Sequence, residues 1–274
     1  MPELPEVETI RRTVAPRIVG RSICGVEVRL PRIIRQPEPE EFVRLIMGKK
    51  IVQMERRGKY LLCHIKDALL VIHLRMTGRL YCQTGDVNDR FARVIFSLDD
   101  GTKLVFADSR TLGTIYALEP NQMAAKSLKG LAALGPEPLS PQFTEDYLAA
   151  SLRHRRGKVK AVLLDQTVIA GLGNIYADES LALARINPAR PAASLCRDEV
   201  SRLFQAINAV IREAIQHRGT TFRDYRDGEN RKGSHQEHLR VYGRRGLPCL
   251  ECGSLIERTE VAGRGTHFCP RCQQ

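Results

Sequence analysis

The sequence predicts an α+β protein in three parts: an N-terminal antiparallel β-sandwich or barrel with a leading helix, a helical region, and a short C-terminal module. Three observations carry this. Short strand-like runs crowd the first part of the chain, helical periodicity replaces them after a proline- and glycine-rich stretch, and four cysteines cluster at the end. The corresponding boundaries are 1–131, 132–227 and 228–274.

The chain opens MPELPEVETI. Pro5 suits a first helical position, Glu6 and Glu8 favour the positive end of the dipole, and Val7, Ile10 and Val14 form an apolar stripe. Helix formation leaves Pro2 and Glu3 unexplained. The runs GVEVRL, KIVQMER, KYLLCHIK, ALLVIHLRM, RVIFSL, TKLVFAD and GTIYAL then read as strands, with a hairpin at Asp99-Asp100-Gly101 and one helix near PEEFVRLIM. GLAALGPEPLSPQF has the composition of a domain linker.

Beyond the linker, TEDYLAASL, KVKAVLLDQ, NIYADESLALA and RDEVSRLFQAINAVIREAIQH are candidate helices. In the last, Val200, Leu203, Ile207, Val210 and Ala214 share a face, and Gly219 stops it. GTTFRDYRDGENRKGSHQEH is polar, lacks a core face and is expected to be a long mobile loop.

With 43 Lys+Arg against 31 Asp+Glu, the formal charge of +12 attracts polyanions, nucleic acid first among them. No apolar stretch has the length of a membrane span, and an acidic start is not a signal peptide, so a cytoplasmic protein is expected. Cys24, Cys63, Cys82 and Cys196 are scattered in apolar surroundings and read as small core residues. Cys249-x2-Cys252 and Cys269-x2-Cys272, sixteen residues apart, have the spacing of a four-cysteine zinc ribbon. One structural Zn2+ is expected, disulfides being the alternative that a reducing compartment disfavours. The hairpin between the knuckles would hold Arg264, flanked by glycines, against a phosphate; a solvated turn arginine is the other reading.

AGLGNIYADESL places Gly171 and Gly173 before a helix with Asn174 expected as its N-cap, where an anion binds well. A dinucleotide fold is excluded because Tyr176 stands where the fingerprint needs glycine, and no nucleotide cofactor is expected. Upstream, RHRRGKVK packs Arg153, Arg155, Arg156, Lys158 and Lys160 into one basic run, suited to a phosphodiester backbone.

MPELPEVET at the start, GLGNIYADE in the helical half and CxxC…GRGTHFCPRC at the end together resemble the formamidopyrimidine-DNA glycosylases, and the resemblance runs end to end. It implies a β-sandwich, a helix-two-turn-helix domain and a zinc ribbon, with DNA in the cleft between the halves. It also explains Pro2. After removal of Met1, the proline amine is the nucleophile of this family, and an α-amino group near pKa 7.7–8.0 is appreciably neutral at physiological pH. Attack on the sugar C1′ gives an iminium that cannot lose a proton from nitrogen, so the C2′ hydrogens become acidic and β,δ-elimination follows base excision.

By the same resemblance Glu3 is the general acid/base, Glu6 a supporting carboxylate, and Lys59 contacts phosphate and serves elimination. Asn174 and Arg264 match the phosphate clamp, Arg264 also serving δ-elimination, while Arg156, Lys160 and Tyr242 fall among the DNA contacts. Met76 and Arg110 match two of three residues that fill the gap left by the everted nucleotide, and Leu112 occupies the third, usually aromatic, position. Phe91 to Val94 (FARV) stands where relatives commonly have histidines, and the loop from Thr220 to His238 falls where relatives cover the everted purine.

The function expected is a bifunctional glycosylase and abasic-site lyase acting on oxidised purines in damaged duplex DNA, as a monomer with no membrane association. One alternative is the sister glycosylase for oxidised pyrimidines, whose members usually carry glycine at the position of Leu4. Another is a non-catalytic zinc-ribbon DNA-binding protein.

Overall fold

Helix α1, Leu4–Ile18, follows a cap at Glu3, so Pro5 is its second residue rather than its first; proline is tolerated there because the amide of either position lacks an intrahelical acceptor. The computed structural model describes residues 1–119 and 128–274. It divides into two units: 1–132 with 217–234, and 133–216 with 235–274. The sequence boundaries cut the chain into three consecutive segments, whereas residues 217–234, after the long helix, group with the N-terminal unit.

In the first unit, β1 (Ile23–Val28), β7 (Ala92–Leu98), β8 (Thr102–Asp108) and β6 (Gly78–Thr84) make a four-stranded antiparallel sheet in the order β1-β7-β8-β6. The second sheet runs β2 (Ile34–Gln36), β9 (Thr114–Leu118), β5 (Ala68–His73), β4 (Tyr60–Ile65), β3 (Ile51–Arg57). The sheets share one core with α1 and α2 (Pro39–Ile46), which selects a sandwich over a barrel. Tyr60–Ile65 shows the alternation that builds such a core: Leu61, Cys63 and Ile65 point in. The expected hairpin is present, Gly101 at φ +82 closing it.

Further expectations need correction. The sandwich is not wholly antiparallel, because β2 joins β9 in parallel; three residues with one buried isoleucine carry too little pattern to be read as a strand. Cys63 and Cys82 are core residues, but Cys24 and Cys196 are exposed. Residues 217–234 are not a loose loop: Tyr225 enters the sandwich core and Asp227 is buried. Asp227 accepts the amides of Glu229 and Arg231 and pairs with Arg218, while Gly228 donates to Thr13 Oγ1 at 2.9 Å. One aromatic anchor and a self-satisfied acid leave no periodic signal. Another, at Asn174, belongs to the second unit.

That unit contains α3 (Glu145–Arg153), α4 (Val159–Leu164), α5 (Asn174–Leu183) and α6 (Arg197–Gln216). The expected face of α6 is buried at all five positions. Helix α5 is capped by Gly173 in extended conformation, and Asn174 is its first residue, which frees the asparagine side chain for other bonds. The ribbon hairpin, β10 (Glu257–Val261) and β11 (Arg264–Phe268), turns through Ala262 and Gly263, both at positive φ. Among the described residues no helix is long and apolar enough to cross a membrane.

Candidate active site and zinc centre

In the first unit, Glu3 is 2% exposed and its N–H donates to Glu6 Oε2 at 2.8 Å. The third helical residue thus closes back on the cap. The other oxygen of Glu6 accepts the amide of Thr220 at 2.8 Å, and Tyr225 donates its hydroxyl to the carbonyls of Arg218 at 3.0 Å and Glu6 at 3.4 Å. Glu6 therefore joins the N-terminus to the 217–234 segment. Gly219 permits this contact: its φ is +80°, and a Cβ there would stand 2.7 Å from Glu6 Oε1. Pro2 is buried, with Met1 exposed ahead of it.

Gly58, at positive φ, turns β3 into β4, and Lys59 follows it, 7% exposed. Arg56 fixes this turn against α1 by donating to the Gly58 carbonyl at 2.9 Å and to Glu8 Oε2 at 3.2 Å. Burial would push the Glu8 carboxyl up, but hydrogen bonds from Arg11 and Arg12, with the charges of Arg11 and Arg56, take it down to about 2. Tyr60 meets His73 edge-on at 4.5 Å. Burial first, then Arg75 and Lys59, lower His73 to about 3, and its Nδ1 accepts the Arg75 amide at 3.0 Å. Met76, Arg110 and Leu112 are exposed on two loops of the same unit.

In the second unit, Gly171 and Gly173 shape the entry to α5, and the turn is clamped by Gln166, which accepts from Gly171 N at 2.9 Å and donates to the Leu172 carbonyl at 2.7 Å. Asn174 Nδ2 donates to the carbonyl of Gly265 at 3.0 Å, which ties the ribbon's tip to the helix start. Lys160 departs from expectation. It is wholly buried, 2.6 Å from the equally buried Asp178, and donates to Thr266 Oγ1 at 2.8 Å and the Gly265 carbonyl at 3.2 Å. An enclosed ammonium with these partners seats the hairpin and presents no exposed surface. Position in a basic run does not reveal side-chain direction, and Lys160 lies on the inward face of α4. Arg156 and Arg264 are exposed, and Tyr242 meets His267 edge-on at 5.1 Å.

Sequence reasoning missed Asp178 and Glu179. Asp178 also accepts the His267 amide at 2.9 Å. Glu179 accepts three successive amides, Arg240, Val241 and Tyr242, at 2.7–2.9 Å, while burial pushes its carboxyl up. Two acids inside the run ADES were the available signal, since acids so placed on a buried helix need internal donors.

The four terminal cysteines place their sulfurs within 4.8 Å of one another, Cys249 to Cys272 at 3.9 Å and Cys252 to Cys269 at 3.5 Å. Tetrahedral zinc with bonds of about 2.3 Å needs sulfurs about 3.8 Å apart, so the set fits. Cys249, Cys252, Cys269 and Cys272 hold one structural zinc.

A β-sandwich with a capped acidic terminus, a helical region with a glycine-gated helix, and a zinc ribbon seated on that helix correspond to three matched domains. The formamidopyrimidine-DNA glycosylase N-terminal domain matches residues 1–115, the H2TH domain of the same enzymes residues 134–226, and the zinc finger found in FPG and IleRS residues 246–274. A formamidopyrimidine-DNA glycosylase of Pelotomaculum thermopropionicum is 50% identical over 276 residues, covering 100% of this chain and 99% of that protein. A Lactococcus lactis Fpg mutant solved with Fapy-dG-containing DNA superposes at TM-score 0.93, with 39% identity and full coverage of both chains. The Fpg protein of Thermus thermophilus gives 0.89, with 41% identity over 99% of this chain and 98% of its own. The chain belongs to the formamidopyrimidine-DNA glycosylase family, enzymes of DNA repair with glycosylase and abasic-site lyase activity.

Proposed function

We propose that the chain excises oxidised purines, 8-oxoguanine and formamidopyrimidines, from duplex DNA through Pro2, and then cuts the strand by β,δ-elimination. The observation that carries this reading is the enclosed cap: Glu3 beside Pro2 is 2% exposed and backed by Glu6. A carboxyl so held can pass a proton to the ribose ring oxygen as it opens. Once Met1 is removed, the Pro2 amine sits at the positive end of α1, which disfavours its protonated form and leaves the lone pair available.

The steps balance. The amine attacks C1′, the glycosidic bond breaks, and the base leaves with a proton. The C1′–O4′ bond then opens, O4′ taking the proton from Glu3, to give the iminium. This accepts the electron pair released when a C2′ hydrogen departs and the C3′–O bond breaks, expelling the 3′-phosphate. Loss of the C4′ hydrogen through the conjugated iminium then breaks the C5′–O bond and expels the 5′-phosphate, and water hydrolyses the iminium to free Pro2. Lys59 at its fixed turn and Arg264 at the ribbon's tip serve these eliminations as phosphate-directed cations. Met76, Arg110 and Leu112 fill the gap in the stack, and Arg156, Asn174 and Tyr242 face DNA. Lys160 is assigned a supporting role beneath Arg264.

One comparison favours a second reading. A structure of the Lactococcus enzyme holds oxidised-pyrimidine DNA, so both lesion classes belong in the test. Single-turnover excision should be faster on 8-oxoguanine and formamidopyrimidine duplexes than on oxidised-pyrimidine duplexes, with phosphate left at both ends of the gap. Faster pyrimidine excision would reverse the assignment.

A further inference from the structure

Asp108 ends β8 with no exposed surface, and the chemistry above does not use it. Its Oδ1 accepts the Thr77 hydroxyl at 2.5 Å and the Arg110 amide at 3.1 Å, while Oδ2 accepts the Gly113 amide at 2.8 Å. Its backbone carbonyl accepts Arg93 Nε at 2.9 Å. Arg110 N–H is shared with Thr77 Oγ1 at 3.2 Å. One carboxylate thus joins the turn that carries Met76 to the loop that carries Arg110 and Leu112.

Both segments are locally constrained. Arg75 and Thr111 have φ of 53° and 55°, a conformation side-chain-bearing residues keep only when their surroundings enforce it. Gly113 passes so close that a Cβ would lie 2.5 Å from Phe106 Cζ and 3.2 Å from Asp108 Oδ2. Two acceptor oxygens with no donor of their own suit three converging donors. An amide of the same shape does not, because in either orientation its NH2 faces a backbone N–H, that of Arg110 or that of Gly113.

We propose that Asp108 is a positioning residue that locks Met76, Arg110 and Leu112 into one unit, so that all three enter the base stack in register. The inference rests on the proposed role of those three side chains. Their heads are exposed and long or apolar, so their placement depends on the backbone beneath them, and productive geometry needs that backbone held within about 0.5 Å. Asp108 touches neither the DNA nor the reacting atoms; it acts through the two loops.

The test compares Asp108→Asn, Thr77→Val and Thr77→Ser with the unaltered protein on 8-oxoguanine duplexes, opposite cytosine and opposite adenine, with 2-aminopurine beside the lesion to report unstacking. A duplex with a preformed abasic site, where no base is everted, is the control. Asp108→Asn and Thr77→Val should slow excision roughly tenfold, blunt the fluorescence rise and lower the cytosine-to-adenine ratio. Abasic cleavage should stay within about twofold, as for a change away from the reacting atoms. Thr77→Ser, which keeps the hydroxyl, should restore all three readouts. Should Asp108→Asn not fold, Thr77→Val reads the same bond. Folded variants with unaltered excision and fluorescence, or with lesion and abasic cleavage slowed equally, overturn the proposal. Failure of the unaltered protein to excise any lesion would instead sink the function on which it rests.

Discussion

Glu6 shows how much one side chain carries: one oxygen closes the cap on Glu3, the other holds Thr220. Gly219→Ala should therefore be costly twice over, through its positive φ and through a methyl pressed on that carboxylate. A loss of about 1–3 kcal/mol, read by chemical denaturation, is expected, with excision reduced more than overall binding. Lys160 and Arg264 separate in a different way. Arg264→Ala should lower the slope of log K against log salt by about 0.9, the increment that one neutralised phosphate supplies. Lys160→Met should leave that slope alone while destabilising the fold by about 3–5 kcal/mol, since it strands Asp178. A slope change in Lys160→Met would return this lysine to the DNA surface. At Leu112, phenylalanine should tighten lesion-duplex binding by up to about 1 kcal/mol, because an aromatic ring stacks where leucine only fills; titration of lesion duplexes measures it.

The ribbon is the element most dependent on something other than its own core, which amounts to Val241, Ile256 and the cysteines. Cys252→Ser or zinc chelation should disorder β10 and β11 and abolish tight DNA binding, while the melting of the first unit is unchanged. Loss of both transitions together would show that zinc supports more than the ribbon; differential scanning calorimetry separates the cases. This element was legible in advance because metal ligation demands fixed spacing, just as α6 was legible from its face and Tyr60–Ile65 from its alternation. The illegible pieces share a cause. β2, the Tyr225 anchor and the buried Lys160–Asp178 pair depend on contacts between segments distant in sequence, which impose no period on the chain. Pro2 and Glu3, the residues of the proposed reaction, stood out in sequence because helix formation leaves both unexplained, whereas Asp108, Gln166 and Glu179 look like ordinary polar residues.

For the whole molecule, charge and burial set a pH window. His73 has its folded pKa lowered from 6.5 to about 3, so the unfolded chain binds the extra proton first and stability declines as pH falls below 6.5. Glu8, lowered from 4.5 to about 2, adds a second loss as pH falls through that range. Denaturation midpoints measured from pH 7 to pH 3 should fall, and Glu8→Gln should flatten the acid end. A Glu8→Gln profile parallel to that of the unaltered protein would contradict the assigned ion cluster.

In the proposed mechanism the N-terminal proline amine performs the reaction. Borohydride reduction of the protein on an 8-oxoguanine duplex, followed by digestion and tandem mass spectrometry, locates the covalent bond directly. The sugar remnant should sit on the nitrogen of Pro2 in a peptide lacking Met1, with no adduct when an uncleaved extension precedes Pro2. An adduct on Lys59 or any other side chain, or full trapping by a chain that still carries Met1, would contradict the account.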